Sequence, residues 1–103
     1  MDLPEDIETY VRRTFAAAES ATVVELVANA VIHDGQPAGP RLMRCALLSS
    51  GGTVAGLHRQ LDQLKRDYRD VIVEGEYVPR TGKLMRVRNL NDPIPDDNLP
   101  LRS

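Results

Sequence analysis

Residues 41–70, RLMRCALLSSGGTVAGLHRQLDQLKRDYRD, decide the fold of this 103-residue chain. Two adjacent glycines separate two segments in which apolar residues recur every three or four positions, which is the spacing of one helix face. Thr53 follows the glycines and is a residue type that caps helix N-termini. The stretch therefore predicts a helix over 41–49, a tight turn, and a longer amphipathic helix over 53–69.

Two further helices are predicted on the N-terminal side of this stretch. Residues 2–5 and 22–25 both match the capping-box pattern, in which side chains bond the free N–H groups of a first turn. We therefore expect one helix to begin at the N-terminus and a second to restart at Thr22 after a break near Ser20. Residues 23–32 are apolar almost without interruption, so this second helix is predicted to be the centre of the core. Its β-branched content leaves a strand open, although its length favours a helix.

Composition marks the remaining boundaries. Residues 34–40 contain two glycines and two prolines, which predicts a loop, with Pro40 at the first position of the next helix. Residues 71–78 and 84–88 are β-prone runs around a turn that contains proline and glycine, which predicts a C-terminal β-hairpin. The alternative, in which the helix continues over 68–77, stays open.

Length and composition are those of a small soluble domain: 42% of the residues are hydrophobic and 27% are charged. The predicted fold class is α+β, with about four helices followed by a C-terminal β-hairpin. These elements form one compact domain over 1–90, and 91–103 is a Pro/Asp-rich C-terminal tail. The single cysteine excludes an internal disulfide, and no apolar stretch reaches the length of a membrane span. Since the acidic start also lacks the features of an export signal, we expect a cytoplasmic protein.

Charge is segregated along the chain. Residues 1–40 carry two bases and seven acids, a net −5, whereas residues 41–90 carry ten bases and five acids, a net +5. The tail adds one base and three acids. Either the basic part serves an anionic partner, or the two parts attract each other within the fold. The second explanation is favoured because the isoelectric point is about 5.6, whereas dedicated nucleic-acid binders are usually basic.

Few residues are candidates for chemistry. Cys45 could act as a nucleophile beside His58 or His33, but its apolar neighbours favour a buried structural residue. His58 and Asp62 lie four apart and so share a helix face, yet the sequence offers too few further ligands for a metal site. Glu74 and Glu76 are assigned to the wet face of a strand. We therefore expect no catalytic residues, no cofactor and no bound metal.

The order of a short helix, a tight turn, a longer helix and a basic-tipped hairpin resembles winged helix-turn-helix modules over about half of the chain. The resemblance implies that the longer helix enters the DNA major groove and that the hairpin follows the backbone. By position, the residues that would face bases or phosphates are Arg59, Gln60, Gln63, Arg66, Arg80, Lys83, Arg86 and Arg88.

The leading functional prediction is a non-catalytic interaction module, which binds a protein partner or self-associates through the surface that carries the basic hairpin or the tail. The alternative is a winged helix-turn-helix-like DNA-binding regulator, and an enzyme ranks third. No membrane partner is expected. The predicted binding surface consists of Arg59, Gln63, Arg66, Arg80, Lys83, Arg86 and Arg88.

Overall fold

The computed structural model describes residues 3–80, 82–86, 89, 90, 92 and 94, without the side chain of Arg80. Four helices come first and a two-stranded antiparallel hairpin follows, which confirms the predicted α+β class. None of the helices in this part of the chain is long and apolar enough to cross a membrane. The predicted tail over 91–103 falls outside the described residues except at two positions. The elements are α1 (Glu5–Thr14), α2 (Ala17–Ala28), α3 (Pro40–Ser49), α4 (Val54–Glu76), β1 (Tyr77–Arg80) and β2 (Lys83–Arg86).

The centre of the core is α3, and the prediction that 23–32 would occupy it is wrong. Five consecutive residues of α3, 43–47, are buried, which requires neighbours on most sides of the helix. By contrast, α2 buries only Val23 and Val27. The apolar run does not stay helical either, because α2 ends at Ala28 and Val31 pairs with Pro37 in an isolated β-bridge.

The break between the first two helices lies at Phe15 and Ala16 rather than near Ser20. Phe15 is buried and its extended backbone ends α1, so burial of this aromatic ring fixes the corner. Thr22 lies inside α2, and the predicted cap there is wrong. The first turn of α1 is preceded by Pro4, which makes no side-chain cap, and the predicted Asp2 cap lies outside the described residues.

α4 is sharply bent at Asp67, whose backbone is extended (φ −161°, ψ 99°). Gln63 Nε2 donates to Asp70 Oδ2 at 3.0 Å, and Gln60 Nε2 donates to Glu74 Oε2 at 2.8 Å. Residues 60 and 74 would be about 21 Å apart along a straight helix. The helix therefore folds back on itself, and we call its halves the N-terminal arm (54–66) and the C-terminal arm (68–76).

The C-terminal arm occupies most of the segment predicted as the first strand. The helical alternative over 68–77 is confirmed as far as Glu76, and a strand over 71–78 is wrong except at its last two residues, Tyr77 and Val78, which begin β1. Packing overrides the β propensity because Val71 and Gly75 are buried in the helical conformation. A Cβ at Gly75 would lie 2.8 Å from the Cα of Cys45, so only a glycine lets the arm approach α3 this closely.

The turn between α3 and α4 follows the prediction. Gly51 and Gly52 have positive φ angles of 72° and 78°, which glycine adopts without steric cost. Thr53 is the N-cap of α4, and its Oγ1 accepts from the backbone N–H of Gly56 at 3.0 Å. A Cβ at Gly56 would clash with the carbonyl oxygen of Ser50, so the turn and the N-terminal arm pack without an intervening side chain.

Candidate functional site

The hairpin places its side chains on two faces. β1 pairs with β2 antiparallel, and directly opposed residues share a face. Gly82, in the turn, has a φ of 76°. One face carries Tyr77, Pro79, Leu84 and Arg86, and the other carries Val78, Met85 and Lys83.

Two large apolar side chains of β2 are exposed on these faces. Leu84 is 59% exposed and Met85 is 49% exposed, and they are the exposed large hydrophobic residues of the described chain. Both side chains belong to the same strand, so a partner bound along β2 could remove apolar area of both from water. The segment 77–88 also carries four bases and no acid. Because Leu84 points to one face of the two-stranded hairpin and Lys83 and Met85 to the other, a partner that covers all three has to bind along the free edge of β2. We call this exposed edge, formed by Lys83, Leu84 and Met85, the hairpin face.

A groove of about 480 Å³ lies beside the face of the hairpin that carries Tyr77, Pro79 and Leu84. Its walls come from the end of α3, the following turn, the C-terminal arm and both strands. Leu84 is among its lining residues, and of the described residues that line it Glu74 is the charged one, with its carboxylate bonded to Gln60. The groove is thus mainly apolar. Its lining consists of Leu48, Ser49, Gly51, Val73, Glu74, Tyr77, Pro79 and Leu84.

A buried carboxylate anchors the hairpin to the helices. Glu76 is 0% exposed, which corrects the expectation of a wet strand residue. Arg41 donates to it through Nε and Nη2, both at 2.8 Å, and Arg86 Nη2 lies 2.9 Å from Oε1. The N–H of Leu90 donates to Oε2 at 3.1 Å. Burial by itself would raise the pKa of Glu76, but these bonds and the two positive charges outweigh it and lower the pKa.

A second carboxylate fixes the segment that follows the hairpin. Arg44 is buried and donates to Asp6 through Nε at 2.9 Å and Nη2 at 3.1 Å. Arg44 Nη1 also donates to the carbonyl of Leu90 at 3.1 Å, and the N–H of Ile94 donates to Asp6 Oδ2 at 3.0 Å. Burial by itself would raise the pKa of Asp6, but the hydrogen bond and positive charge of Arg44 and the hydrogen bond from the Ile94 N–H outweigh it, so the pKa is lowered. This pair joins the acidic and basic parts of the sequence inside the fold.

The predicted binding residues fall into two groups. Arg59 and Arg66 are exposed on the N-terminal arm, and within the described chain their side chains form no hydrogen bond or ion pair. Gln63 is bonded to Asp70, as noted above. Lys83 is exposed on the hairpin. The C-terminal arm, about 14 Å long, separates the corner beside Arg66 from the hairpin.

The remaining predicted residues are either already bonded within the fold or lie outside the part of the chain that the structure describes. Arg86 is partly exposed, but its guanidinium is committed to Glu76 and to Asn89 Oδ1. The side chain of Arg80 and all of Arg88 lie outside the described residues. Sequence reasoning missed Leu84 and Met85, because an apolar residue in a short strand does not reveal whether its face is covered.

A second cavity, of about 500 Å³, lies between α2 and the N-terminal arm. His58 and Asp62 both stand at it, as their spacing predicts. No group of three or more histidine, cysteine or acidic side chains is arranged to hold a metal in the described ranges. We call this cavity the α2–α4 cleft. It is lined by Thr22, Glu25, Leu26, Asn29, Ala30, Val31, His58, Leu61, Asp62 and Lys65.

The cysteine and the two histidines lie in three separate surroundings. Cys45 is buried, as predicted, and its thiol donates to Glu76 Oε2 at 3.9 Å. His58 lines the α2–α4 cleft. His33 stacks on Tyr68 at the bend of α4, with ring centroids 6.5 Å apart. The geometry gives Cys45 no imidazole to act as its base.

No protein-family model, curated protein or solved structure matches this chain. Function therefore has to be argued from the site alone.

Proposed function

We propose that this protein is a non-catalytic interaction module, and that its hairpin face binds an acidic protein surface with apolar residues. The observation that carries the proposal is the exposure of Leu84 and Met85, 59% and 49% respectively, beside Lys83. Covering these side chains removes apolar surface from water, worth about 25 cal/mol per Å² before the costs of association.

The charge of the hairpin specifies the kind of partner. Residues 77–88 hold four bases and no acid, so an acidic surface is attracted and a basic one repelled. Charges around an interface mainly raise the association rate and exclude wrong partners. The apolar side chains then supply the affinity, while Lys83 supplies selectivity.

The anchor at Glu76 makes the hairpin suitable for binding. A two-stranded hairpin alone is only marginally stable in water. Here Arg86 of β2 is tied to Glu76 at the end of the C-terminal arm, and Arg41 of α3 holds the same carboxylate. The hairpin is thus fixed before binding, which reduces the ordering cost on association.

Photo-crosslinking in cells that express the full chain tests the proposal. A photoreactive amino acid is placed at Met85 and, as a matched control, at Ala18, which is exposed on α2. We expect a discrete protein adduct from position 85 and none from position 18. The reversal Lys83→Glu should remove the adduct by repelling the acidic partner. No adduct at 85, or the same adducts at both positions, would contradict the proposal.

DNA binding is the second candidate, because the helix, turn, helix and hairpin occur in the order of a winged helix-turn-helix module. The N-terminal arm of α4 gives it less support. Gln60 and Gln63 donate to Glu74 and Asp70, so two carboxylates stand on the side assigned to DNA. Carboxylates there repel phosphates, which provide most of the affinity for DNA.

A titration with duplex DNA separates the two candidates. DNA binding requires retention that weakens steeply with salt and is reduced by Arg59→Glu/Arg66→Glu. The protein-binding proposal requires no such retention, so finding it would favour DNA. Arg86 is unsuitable for this test, because its reversal would place a second acid beside buried Glu76.

A further inference from the structure

We infer that the partner is a second copy of this chain, and that the hairpin face of one copy docks into the α2–α4 cleft of the next. This inference rests on the proposed function, because it names the surface that the hairpin face binds. It combines two surfaces of the same molecule whose chemistry is complementary.

The α2–α4 cleft has an apolar floor. Leu26, Ala30 and Val31 come from α2 and the residues after it, and Leu61 comes from the N-terminal arm. The cavity of about 500 Å³ lies in the range that holds a drug-sized ligand. It therefore has room for the edge of β2, with the side chains of Leu84 and Met85, which point to opposite faces of the hairpin, directed toward opposite walls of the cleft.

The rim of the cleft carries charge that the fold does not use. Glu25 and Asp62 stand on opposite walls and are exposed, and within the described chain neither carboxylate forms a hydrogen bond or ion pair. Lys65 and His58 also line the cleft. The two carboxylates, Glu25 and Asp62, outnumber the single lysine, Lys65, so these three residues together contribute a net charge of −1. This sign is complementary to Lys83 of the hairpin face.

The geometry of such a contact is head-to-tail. The hairpin face and the lining of the α2–α4 cleft share no described residue, so each copy offers two different surfaces. A contact between unlike surfaces leaves one hairpin and one cleft free on any open pair. It therefore continues to further copies until a ring closes, and it does not stop at a symmetric dimer.

This asymmetry allows a complementation test by sedimentation velocity, from about 1 μM to about 1 mM protein, a range that covers weak association. The hairpin variant is Lys83→Glu/Leu84→Ser, and the cleft variant is Glu25→Lys/Asp62→Lys. All four positions are exposed, so both variants should fold, which circular dichroism checks. Arg13→Glu, an exposed reversal on α1, is the matched control.

We expect the wild-type chain and the control to form species larger than the 11.4 kDa monomer, and each variant alone to stay monomeric. An equimolar mixture of the two variants should form a one-to-one dimer and nothing larger, because only one cleft and one hairpin remain intact. High salt should shift the wild-type chain toward monomer, since the attraction is screened.

Three outcomes would overturn the inference: a wild-type chain that stays monomeric throughout, variants that associate like wild type, or a mixture that remains monomeric. The proposed function fails separately. If the wild-type chain is monomeric but the Met85 crosslink to a different protein is found and depends on Lys83, the hairpin face binds another chain and only the inference is lost. If that crosslink is absent as well, both are lost.

Discussion

The C-terminal arm of α4 meets α3 nearly backbone to backbone, whereas the N-terminal arm stands off from α2 across a cavity of about 500 Å³. In the first contact Gly75 faces Cys45, and buried Glu76 is bonded by two guanidinium groups. At the second contact, Glu25 stands on the α2 wall of the cavity and Asp62 on the wall formed by the N-terminal arm. Within the described chain neither carboxylate forms a hydrogen bond or ion pair.

Both arms bury apolar residues, Leu57 and Leu64 on the N-terminal arm and Val71 on the C-terminal arm. The C-terminal arm adds the buried Glu76 anchor, whereas the N-terminal arm forms one wall of the α2–α4 cleft.

At the C-terminal arm, the substitution Glu76→Ala should lower the free energy of unfolding more than any other change proposed below. It removes the carboxylate that Arg41, Arg86 and the N–H of Leu90 share in the buried anchor. We expect the free energy of unfolding to fall by about 3 kcal/mol, the lower end for a broken buried pair. The lower end applies because Arg41 and Arg86 keep 33% and 40% of their side chains exposed.

Urea denaturation measures the effect of Glu76→Ala. Glu25→Ala, at an exposed carboxylate on α2, is the control and should change the free energy of unfolding by less than about 0.5 kcal/mol. Equal losses in the two variants would mean that the C-terminal arm holds no special share of the stability.

The substitution Gly75→Ala should have the next largest effect. The added Cβ would lie 2.8 Å from both the Cα and the Cβ of Cys45, so the C-terminal arm must move away from α3. Overpacking of this kind costs about 2 kcal/mol. Gly39→Ser is a control in open space, where serine can cap α3 and should raise stability by a few tenths of a kcal/mol, roughly. A lower melting temperature for Gly75→Ala and a slightly higher one for Gly39→Ser would support the close contact between the C-terminal arm and α3.

Acid should weaken the same end of the molecule. The pKa values of Glu76 and Asp6 are lowered by folding from ordinary values of 4.5 and 3.8. Each carboxylate therefore stabilises the fold fully above its unfolded pKa, and the contribution is lost as the pH falls through the lower folded pKa. We expect the melting temperature to be flat near neutral pH and to drop below about pH 4.5. The decline should be shallower in Glu76→Gln, and an identical slope in that variant would show that Glu76 is not responsible.

The two arms also differ in how far the sequence predicts them. Thr53 and the regular apolar spacing after it identify the N-terminal arm, since cap and period are local signals. The sequence marks the bend less clearly. Asp67 Oδ1 accepts from the N–H of Arg69 at 3.1 Å and so caps the C-terminal arm, but an aspartate within an amphipathic run is usually only an exposed helix residue and does not by itself predict a cap. The run at 71–73, whose composition favours a strand, is helical in the structure, where Gly75 lets the C-terminal arm pack closely against α3.

The sequence does not predict the ion pairs of Glu76 either, because they join residues that are far apart along the chain. Glu76 is paired with Arg41, which lies 35 residues away, and nothing local separates this acid from an exposed one. The sequence does predict the basic character of the hairpin, because charge is a sum over residues. It does not predict the exposure of Leu84 and Met85, which depends on what packs over each face.

The smallest effect on stability is expected for Asp62→Asn, at the open side of the comparison. This change removes a charge from the cleft rim and keeps the shape of the side chain. Asp62 forms no hydrogen bond or ion pair within the described chain, so the free energy of unfolding should change by less than about 0.5 kcal/mol. The self-association proposed above should nevertheless be weaker in Asp62→Asn than in the wild-type chain, because the cleft loses one of its two carboxylates while the hairpin face is intact. A large loss of stability in urea denaturation would place Asp62 among the residues that hold the fold, and the N-terminal arm would then resemble the C-terminal arm.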